Sequence, residues 1–426
     1  MKNKAIVLTI LVAAVVAGWF ALRPPKATQL QPNLTEVRFG MLPYGDHTQA
    51  IIGIQKGWFE EVGLKLRHEV IKIENVVPFL KNQTLDVCSS PAGLLYPAYE
   101  SAPGLGVFVF ADIFQGYGIV AQPGLNCKSY EEFVKEGLSS EDAFKAAVAQ
   151  MKGKVFAYPS ETAIKPFIDI VLEKGGITRE ELTSLVQDDA LTVNSMRQGR
   201  AQFQVGGAPS RIIMQREGFK PIITSLDVAK TAKPSALSRE LGSVFPDGWA
   251  TTKKYFDERH EVILRLASVC MRINDFIVNN PKEALAIHMP FLTTVTGESF
   301  SEKDGMIIYS SLDPFYTFEQ QKSWFHDPND PFFYKHINGA GLQSFIEKGV
   351  FKAKTPDIEE FIFADDIYRE MEALKEQADK LFAEIKDKNL AGDENRKTQL
   401  EQAKHHYSIY NFYDAQRIVK AIVEGN

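Results

Sequence analysis

Five short stretches of this sequence gather the residue types that hold small polar molecules. Pro43-Tyr44-Gly45-Asp46-His47 offers a ring, a carboxylate and an imidazole, and Ser89-Ser90-Pro91 offers two hydroxyls. Phe114-Gln115-Gly116-Tyr117 adds two rings and an amide. Ser160-Glu161-Thr162 adds two hydroxyls and an acid, and Gly206-Gly207-Ala208-Pro209 adds bare backbone. Asp247 and Trp249 follow in a later stretch. Hydroxyls and free N–H groups at helix starts suit a sulfonate, carboxylate or similar oxyanion. The acids point another way. Asp46, Glu161 and Asp247 fall in or near these stretches, and the one cation close by is Arg211, a turn into a helix. Carboxylates with few cations disfavour a bare anion such as nitrate and favour a zwitterion or an amine-bearing heterocycle. Tyr44, His47, Phe114, Tyr117 and Trp249 can supply a stacking wall or a cation–π contact for such a ring. Each also has a plainer reading, the hydroxyls and Asp46 as caps or turns and the rings as core.

These stretches act together only if the fold brings them together, and the apolar pattern offers a way. Strand candidates at 36–42, 64–71, 85–90 and in "GVFVFAD" and "YGIVAQ" alternate with helix candidates "HTQAIIGIQKG", "VVPFLKNQ" and "AGLLYPAYE". After a polar insertion at 124–150 the alternation restarts with "GKVFAYPS", "LTSLVQD", "AQFQVGG" and "KPIITS" as strands, and it returns to a strand at 248–254. Strands alternating with helices of about ten residues argue for parallel α/β units. We read two lobes, one of residues 36–120 and 225–365 and one of 121–224, with crossings near 112–125 and 225–250. In open α/β sheets ligands sit beyond the carboxyl ends of the strands, where all five stretches fall.

The ends of the chain differ from its middle. Lys2 and Lys4 precede an uncharged run of 18 residues from Ala5 to Leu22, closed by Arg23-Pro24-Pro25. That run is at the lower limit for spanning a bilayer and has the layout of a secretory signal. Residues 1–26 are therefore expected to be a signal anchor or signal peptide, and 27–35 a tether, which would place the rest on the periplasmic or extracellular face. Ile367, Met371, Leu374, Ala378, Leu381 and Ile385 alternate spacings of four and three, the seam of a long helix. "KNLAGDENR" breaks it, and a second helix is expected over about 397–424, giving a helical hairpin at 366–426 that packs on itself and the lobes or serves as a docking arm. A net charge of −6 gives no reason to expect nucleic acid as partner. Cys88, Cys127 and Cys270 lie far apart, and His405-His406 are adjacent rather than four residues apart, so no metal site is expected.

The stretch "GIQKGWFEEVGLKLRHEV" (53–70) carries scaffold rather than chemistry. Gly57 suits the left-handed end of a helix and Gly63 the turn into a strand, with Trp58 and Phe59 plugging the lobe and Glu60 and Glu61 solvated. Lys56-Gly57-Trp58-Phe59 followed by Gly63-Leu64 resembles a signature of extracytoplasmic solute-binding proteins, the taurine, aliphatic-sulfonate, nitrate and thiamine-precursor receptors of ABC importers. "TLDVCSSPAGLL", "MKGKVFAYPSETAIKPFIDIVLEKGGI" and "VNSMRQGRAQFQVGGAPSRIIMQREG" resemble further steps of that family in the same order, over about 37–350. The chain departs from it at Ala201-Gln202, where an aspartate is usual, and the insertion and the tail beyond 365 lack a counterpart in most members. The resemblance implies an α/β, two-lobe, type II periplasmic-binding fold, no catalytic residues and no cofactor. It implies a small polar organic ligand and an ABC permease in the membrane as partner. Two other readings stand beside it: a membrane-tethered sensor or scaffold signalling through the C-terminal helices, and a pyrimidine-precursor synthase of the kind that consumes a histidine and carries a cysteine-rich motif. "DVCSSPAG" holds a single cysteine, which weighs against the latter.

Overall fold

Ten strands form two sheets in a computed structural model that describes residues 34–160, 164–231 and 239–425. The strands are β1 (Thr35–Met41), β2 (Leu64–Val70), β3 (Val87–Ser89), β4 (Leu105–Phe114), β5 (Gly118–Ala121), β6 (Val155–Tyr158), β7 (Thr183–Val186), β8 (Phe203–Gly206), β9 (Lys220–Thr224) and β10 (Phe245–Thr252). The first sheet runs β2-β1-β3-β10-β4 and the second β7-β6-β8-β5-β9. Both are mixed rather than parallel. β1 and β3 are parallel, as are β7, β6 and β8, but the fourth strand of each sheet, β10 or β5, is antiparallel to its neighbours. In the first sheet that strand, β10, arrives after the whole second sheet has been built, whereas in the second it is β5, the strand by which the chain enters. β4 ends the first sheet at Phe114 and β5 opens in the second at Gly118, while β9 leaves the second and β10 rejoins the first. Both sheets belong to one compact unit that begins at Glu36.

β4, "LGVFVFADIF", is buried along its whole length although it is last in its sheet. An open edge of that kind invites pairing with other chains. Here it is covered: the Val107 N–H donates to Phe361 O at 2.8 Å, the Phe363 N–H to Val107 O at 2.8 Å, and the Ile113 N–H to Pro314 O at 3.1 Å. On the other side β10 bulges between Asp247 and Gly248, where any Cβ on Gly248 would lie 1.9 Å from Val109 O. Only glycine fits there.

The 53–70 stretch forms the expected turn, with Gly57 at φ +72° ending the Ala50–Lys56 helix and Gly63 at φ +79° leading into β2. Phe59 is fully buried near Trp249, and Trp58 packs edge-on to Phe276 at 5.5 Å. Glu61 departs from expectation. It pairs with Arg272 at 2.5 Å and with His405, so it fastens the lobe to the C-terminal helices.

The C-terminal region is three helices rather than two, Ala364–Asp387, Glu394–Ser408 and Phe412–Glu424. Tyr410 at φ +65° makes the extra break, and the Asn411 side chain caps the last helix by accepting from the Asp414 N–H at 3.2 Å. The expected stripe divides its work. Ile367 and Met371 join the core of the first lobe, whereas Ala378 and Ile385 form a small core with Ala403, Val419 and Ile422. The 124–150 insertion folds as helices Tyr130–Lys135 and Ser140–Ala149, whose Phe144, Ala147 and Val148 enter the core of the second lobe. The expected anchor, signal and tether fall outside the described residues, apart from the last two tether positions. Among the described residues no helix is long and apolar enough to cross a membrane.

Candidate ligand-binding site

A small cavity of about 40 Å³ lies between the two sheets, at the loops that follow their parallel strands. From the first sheet come Tyr44, Asp46 and His47 after β1, Pro91 after β3, and Phe245 and Asp247 on β10. From the second come Pro159 after β6, Asp189, and Gly206-Gly207-Ala208 at the end of β8. Phe114 and Tyr117 stand at the crossing between them. A wider recess of about 450 Å³ is lined by Tyr44, Pro159 and Asp189 and reaches Lys72, Ser160, Arg197 and Glu298.

The wall of the cavity is an aromatic group. Phe114 stacks on Phe245 at 5.0 Å and meets Tyr117 edge-on at 4.5 Å. Gly207 lets the β8 loop lie on this group, because a Cβ there would come within 3.0 Å of the Phe114 ring. Arg211 fixes the crossing rather than facing a ligand: its Nη1 donates to Gly116 O at 3.0 Å. Burial pushes the Arg211 guanidinium down to about 10, against the pull of Asp227 and Asp313.

The floor is acidic and dry. Asp247 on β10 lies directly opposite Asp112 on β4, a position at which like charges repel across an antiparallel pair. Asp46 comes from the β1 loop, and Asp313 follows a π-helical turn at Ile308–Leu312. All four side chains are buried. Among the described residues no hydrogen-bond donor reaches either oxygen of Asp112, Asp247 or Asp313, nor Oδ1 of Asp46. Burial first, then the neighbouring carboxylates, pushes Asp112, Asp247 and Asp313 well above the usual range. His47 Nε2 lies 3.5 Å from Asp46 and 3.8 Å from Asp247, and burial lowers its pKa despite the pull of Asp46. Asp189, from the opposite lobe, is pushed up to about 6 by burial, with Ser210 opposing.

Of the residues singled out in the sequence, the fold brings Tyr44, Asp46, His47, Phe114, Tyr117, Gly207 and Asp247 to this one cavity, and Ser160 to the recess beside it. Four do not line either. Ser89 is fully buried and accepts from the Leu42 N–H at 3.0 Å, tying β3 to the β1 loop. Ser90 donates to Pro91 O at 3.0 Å, and the Gln115 amide nitrogen to Ser311 O at 3.4 Å. Trp249 is no wall for a ligand: it lies in the core, 5.0 Å from the Phe39 ring. Glu161 and Thr162 fall outside the described residues. Asp112, Asp189, Phe245 and Asp313 went unread in the sequence. Asp112 had a signal, a lone acid in an otherwise apolar strand.

Two mixed sheets of five strands, joined by two crossings and flanked by helices, make the substrate-binding-protein fold found in ABC import systems. It resembles a ligand-binding component of an ABC-type import system from Staphylococcus aureus, solved with zinc bound, at a TM-score of 0.55 and 12% identity over 79% of this chain and 98% of that one. The periplasmic aliphatic sulphonate binding protein SsuA from Escherichia coli gives 0.55 and 12% over 78% and 99%. The periplasmic nitrate-binding protein NrtA from Synechocystis PCC 6803 gives 0.53 and 15% over 80% and 88%. Residues 30–285 match the family model of the NMT1-like family, and the chain belongs to that family. Among curated proteins none matches.

Proposed function

We propose that this protein captures a small amine-bearing organic solute, a zwitterion or a heterocycle, and presents it to an ABC permease outside the cytoplasm. The observation that carries the reading is the sign of the cavity. Asp46 and Asp247 from one lobe and Asp189 from the other line it together with aromatic rings, and no Lys or Arg does so among the described residues. Such a cavity attracts a cationic group and stacks a ring, while a bare anion meets only like charge. Because its walls come from both lobes, a ligand gains its full set of contacts only when the lobes close. Closure about the crossings at 115–117 and 225–244 is then the signal a permease reads. The extracytoplasmic placement rests on the sequence of residues 1–26 and on the import systems in which the fold occurs.

Thermal shift of the purified protein against a panel of diamines, amino-sulfonates, aminopyrimidines, nitrate and plain alkanesulfonates tests this. The amine-bearing compounds are expected to stabilise the protein and Asp189→Asn to weaken that effect. Stabilisation by nitrate or plain alkanesulfonates alone would reverse the ligand class. Uptake of the solute that persists without the protein would remove the transport role and favour a sensor.

A further inference from the structure

The cavity floor contains more acid than a ligand's amine can use. Of the four floor acids, Asp46 and Asp247 line the cavity, and Asp112 and Asp313 do not. One oxygen each from Asp46, Asp112 and Asp313 lies within 4.8 Å of the others, and the three side chains are buried. A second trio, Asp46, His47 and Asp247, meets the same limit on the cavity side and shares Asp46 with the first.

A second observation points to a missing cation. The His47 side chain is only 5% exposed, its Nε2 faces Asp46 and Asp247 at 3.5 and 3.8 Å, and its Nδ1 has no hydrogen-bond partner among the described residues. A neutral polar ring has therefore been buried against the acids without meeting its own hydrogen-bonding needs. The nearest cationic side chain that acts on Asp313, Arg211, spends its Nη1 on the backbone of the crossing. Arg211 offsets part of the charge of Asp313 from a distance, but among the described residues no donor reaches either oxygen of Asp112 or Asp313, and buried charge is retained when it is paired or coordinates a metal.

We propose that Asp46, Asp112 and Asp313 bind one divalent cation of the oxygen-preferring kind, Ca²⁺ or Mn²⁺, beneath the ligand cavity. Three carboxylates and no thiolate suit a hard ion. Three oxygens spaced at that 4.8 Å limit lie about 2.8 Å from a shared centre, so the carboxylates would draw in by a few tenths of an ångström at most to reach Ca²⁺–O bonds of about 2.4 Å. The ion would tie together the β1 loop, the end of β4 just before the crossing, and the turn after Leu312. It would also cancel the charge behind Asp247, leaving Asp247 and His47 to face the solute. The proposal does not depend on which solute that is.

Metal analysis of the full-length protein, purified without chelator, is expected to find about one equivalent of a divalent ion. After EDTA treatment, CaCl₂ or MnCl₂ is expected to raise the melting temperature, since an ion that binds only the folded state stabilises it. Asp112→Asn and Asp313→Asn each remove a ligand charge and are expected to weaken the ion by roughly tenfold or more. Glu376→Gln, on the exposed side of the Ala364–Asp387 helix, is expected to leave it unchanged. Absence of bound metal together with no shift from Ca²⁺, Mn²⁺ or Mg²⁺ overturns the proposal. So does a shift that survives in both variants, or one produced by putrescine and by no metal, which assigns the acids to an organic ammonium. Should either variant fail to fold, the electron paramagnetic resonance spectrum of Mn²⁺ added to the wild-type protein decides: an unperturbed aqueous signal counts against the site.

Discussion

Asp414 in the C-terminal helices and Asp112 beneath the cavity are both buried aspartates, and their surroundings could hardly differ more. Arg265 forks onto Asp414 at 2.9 and 3.0 Å, and the Asn411 amide donates to it at 2.8 Å. Burial pushes the Asp414 carboxyl up, but Arg265 and Asn411 outweigh it and hold the group below the usual range. Among the described residues no donor reaches Asp112, and burial with the charge of Asp46 drives it the other way. Where the chain supplies the counter-charge, a buried acid fastens two regions. Where it does not, the counter-charge must come from outside, as an ion, a ligand or a proton.

The largest effect expected from this contrast is at Arg265. Arg265→Met keeps much of the stem's packing but leaves Asp414 with only the Asn411 amide and the exposed Arg417 at 3.2 Å, which should cost up to about 3 kcal/mol in urea unfolding. A loss below about 1 kcal/mol, the size of a surface pair, would remove the contrast. Asp112→Asn should act in the opposite direction. In chelator-treated protein at neutral pH the full repulsion between carboxylates about 4 Å apart would be about 4 kcal/mol at an effective dielectric near 20, and because Asp112 relieves part of it by holding a proton, a gain of about 1–2 kcal/mol is expected. Destabilisation there would mean that Asp112 is already satisfied.

Much of the fold was legible because it rests on local chemistry. Gly57 and Gly63 can be read as left-handed turns from neighbouring residues, and the loops after β1 and β8 from the strand–turn–helix pattern around them. What was hidden depends on distant partners. β10 is far along the chain from β3 and β4, so its antiparallel insertion leaves no mark in local periodicity. The bulge at Asp247-Gly248 breaks the two-residue alternation along β10, which is why Asp247 reaches the cavity while Trp249 enters the core. The inner acids stand at positions 46, 112 and 313, a spacing no motif describes. Asp189 sits in an Asp188-Asp189 pair at a helix start, where an acid reads as an ordinary helix-start residue.

Asp189 sharpens the comparison from the other lobe. Its carboxyl is held at about 6, above the value near 3.9 for an unfolded chain. An acid whose folded pKa is raised lowers stability as pH climbs from about 4 to 6, because the folded form holds the proton longer. Ligand binding has the reverse sign, since the ionised carboxylate is what attracts an amine. Affinity for an amine-bearing solute should therefore rise about tenfold between pH 5 and 7, or about 1.4 kcal/mol, by calorimetric titration. Asp189→Asn should flatten that rise; an unchanged profile would assign it to another group, with Asp247 the first candidate.

Glu61 gives the smallest effect and the finest test of the paired case. Its partners are 211 and 344 positions away, so the expectation of a solvated side chain had no local reason to fail. Burial raises its pKa, but the hydrogen bonds from Arg272 and His405 prevail and hold it below the usual value. The sign is then the opposite of Asp189. Glu61 stabilises the fold above the unfolded pKa near 4.3, and this contribution is lost as pH falls through the lower folded value. The site is partly open to solvent, so the pair is screened and Glu61→Gln should cost no more than about 1 kcal/mol at neutral pH. Arg272 also stacks over Trp58, 4.3 Å from its ring, and that contact needs no carboxylate. Glu61→Gln should therefore leave the Trp58 environment intact by near-ultraviolet dichroism while loosening the Glu394–Ser408 helix in hydrogen exchange. Loss of the tryptophan signal would show instead that the ion pair, not the stacking, positions Arg272.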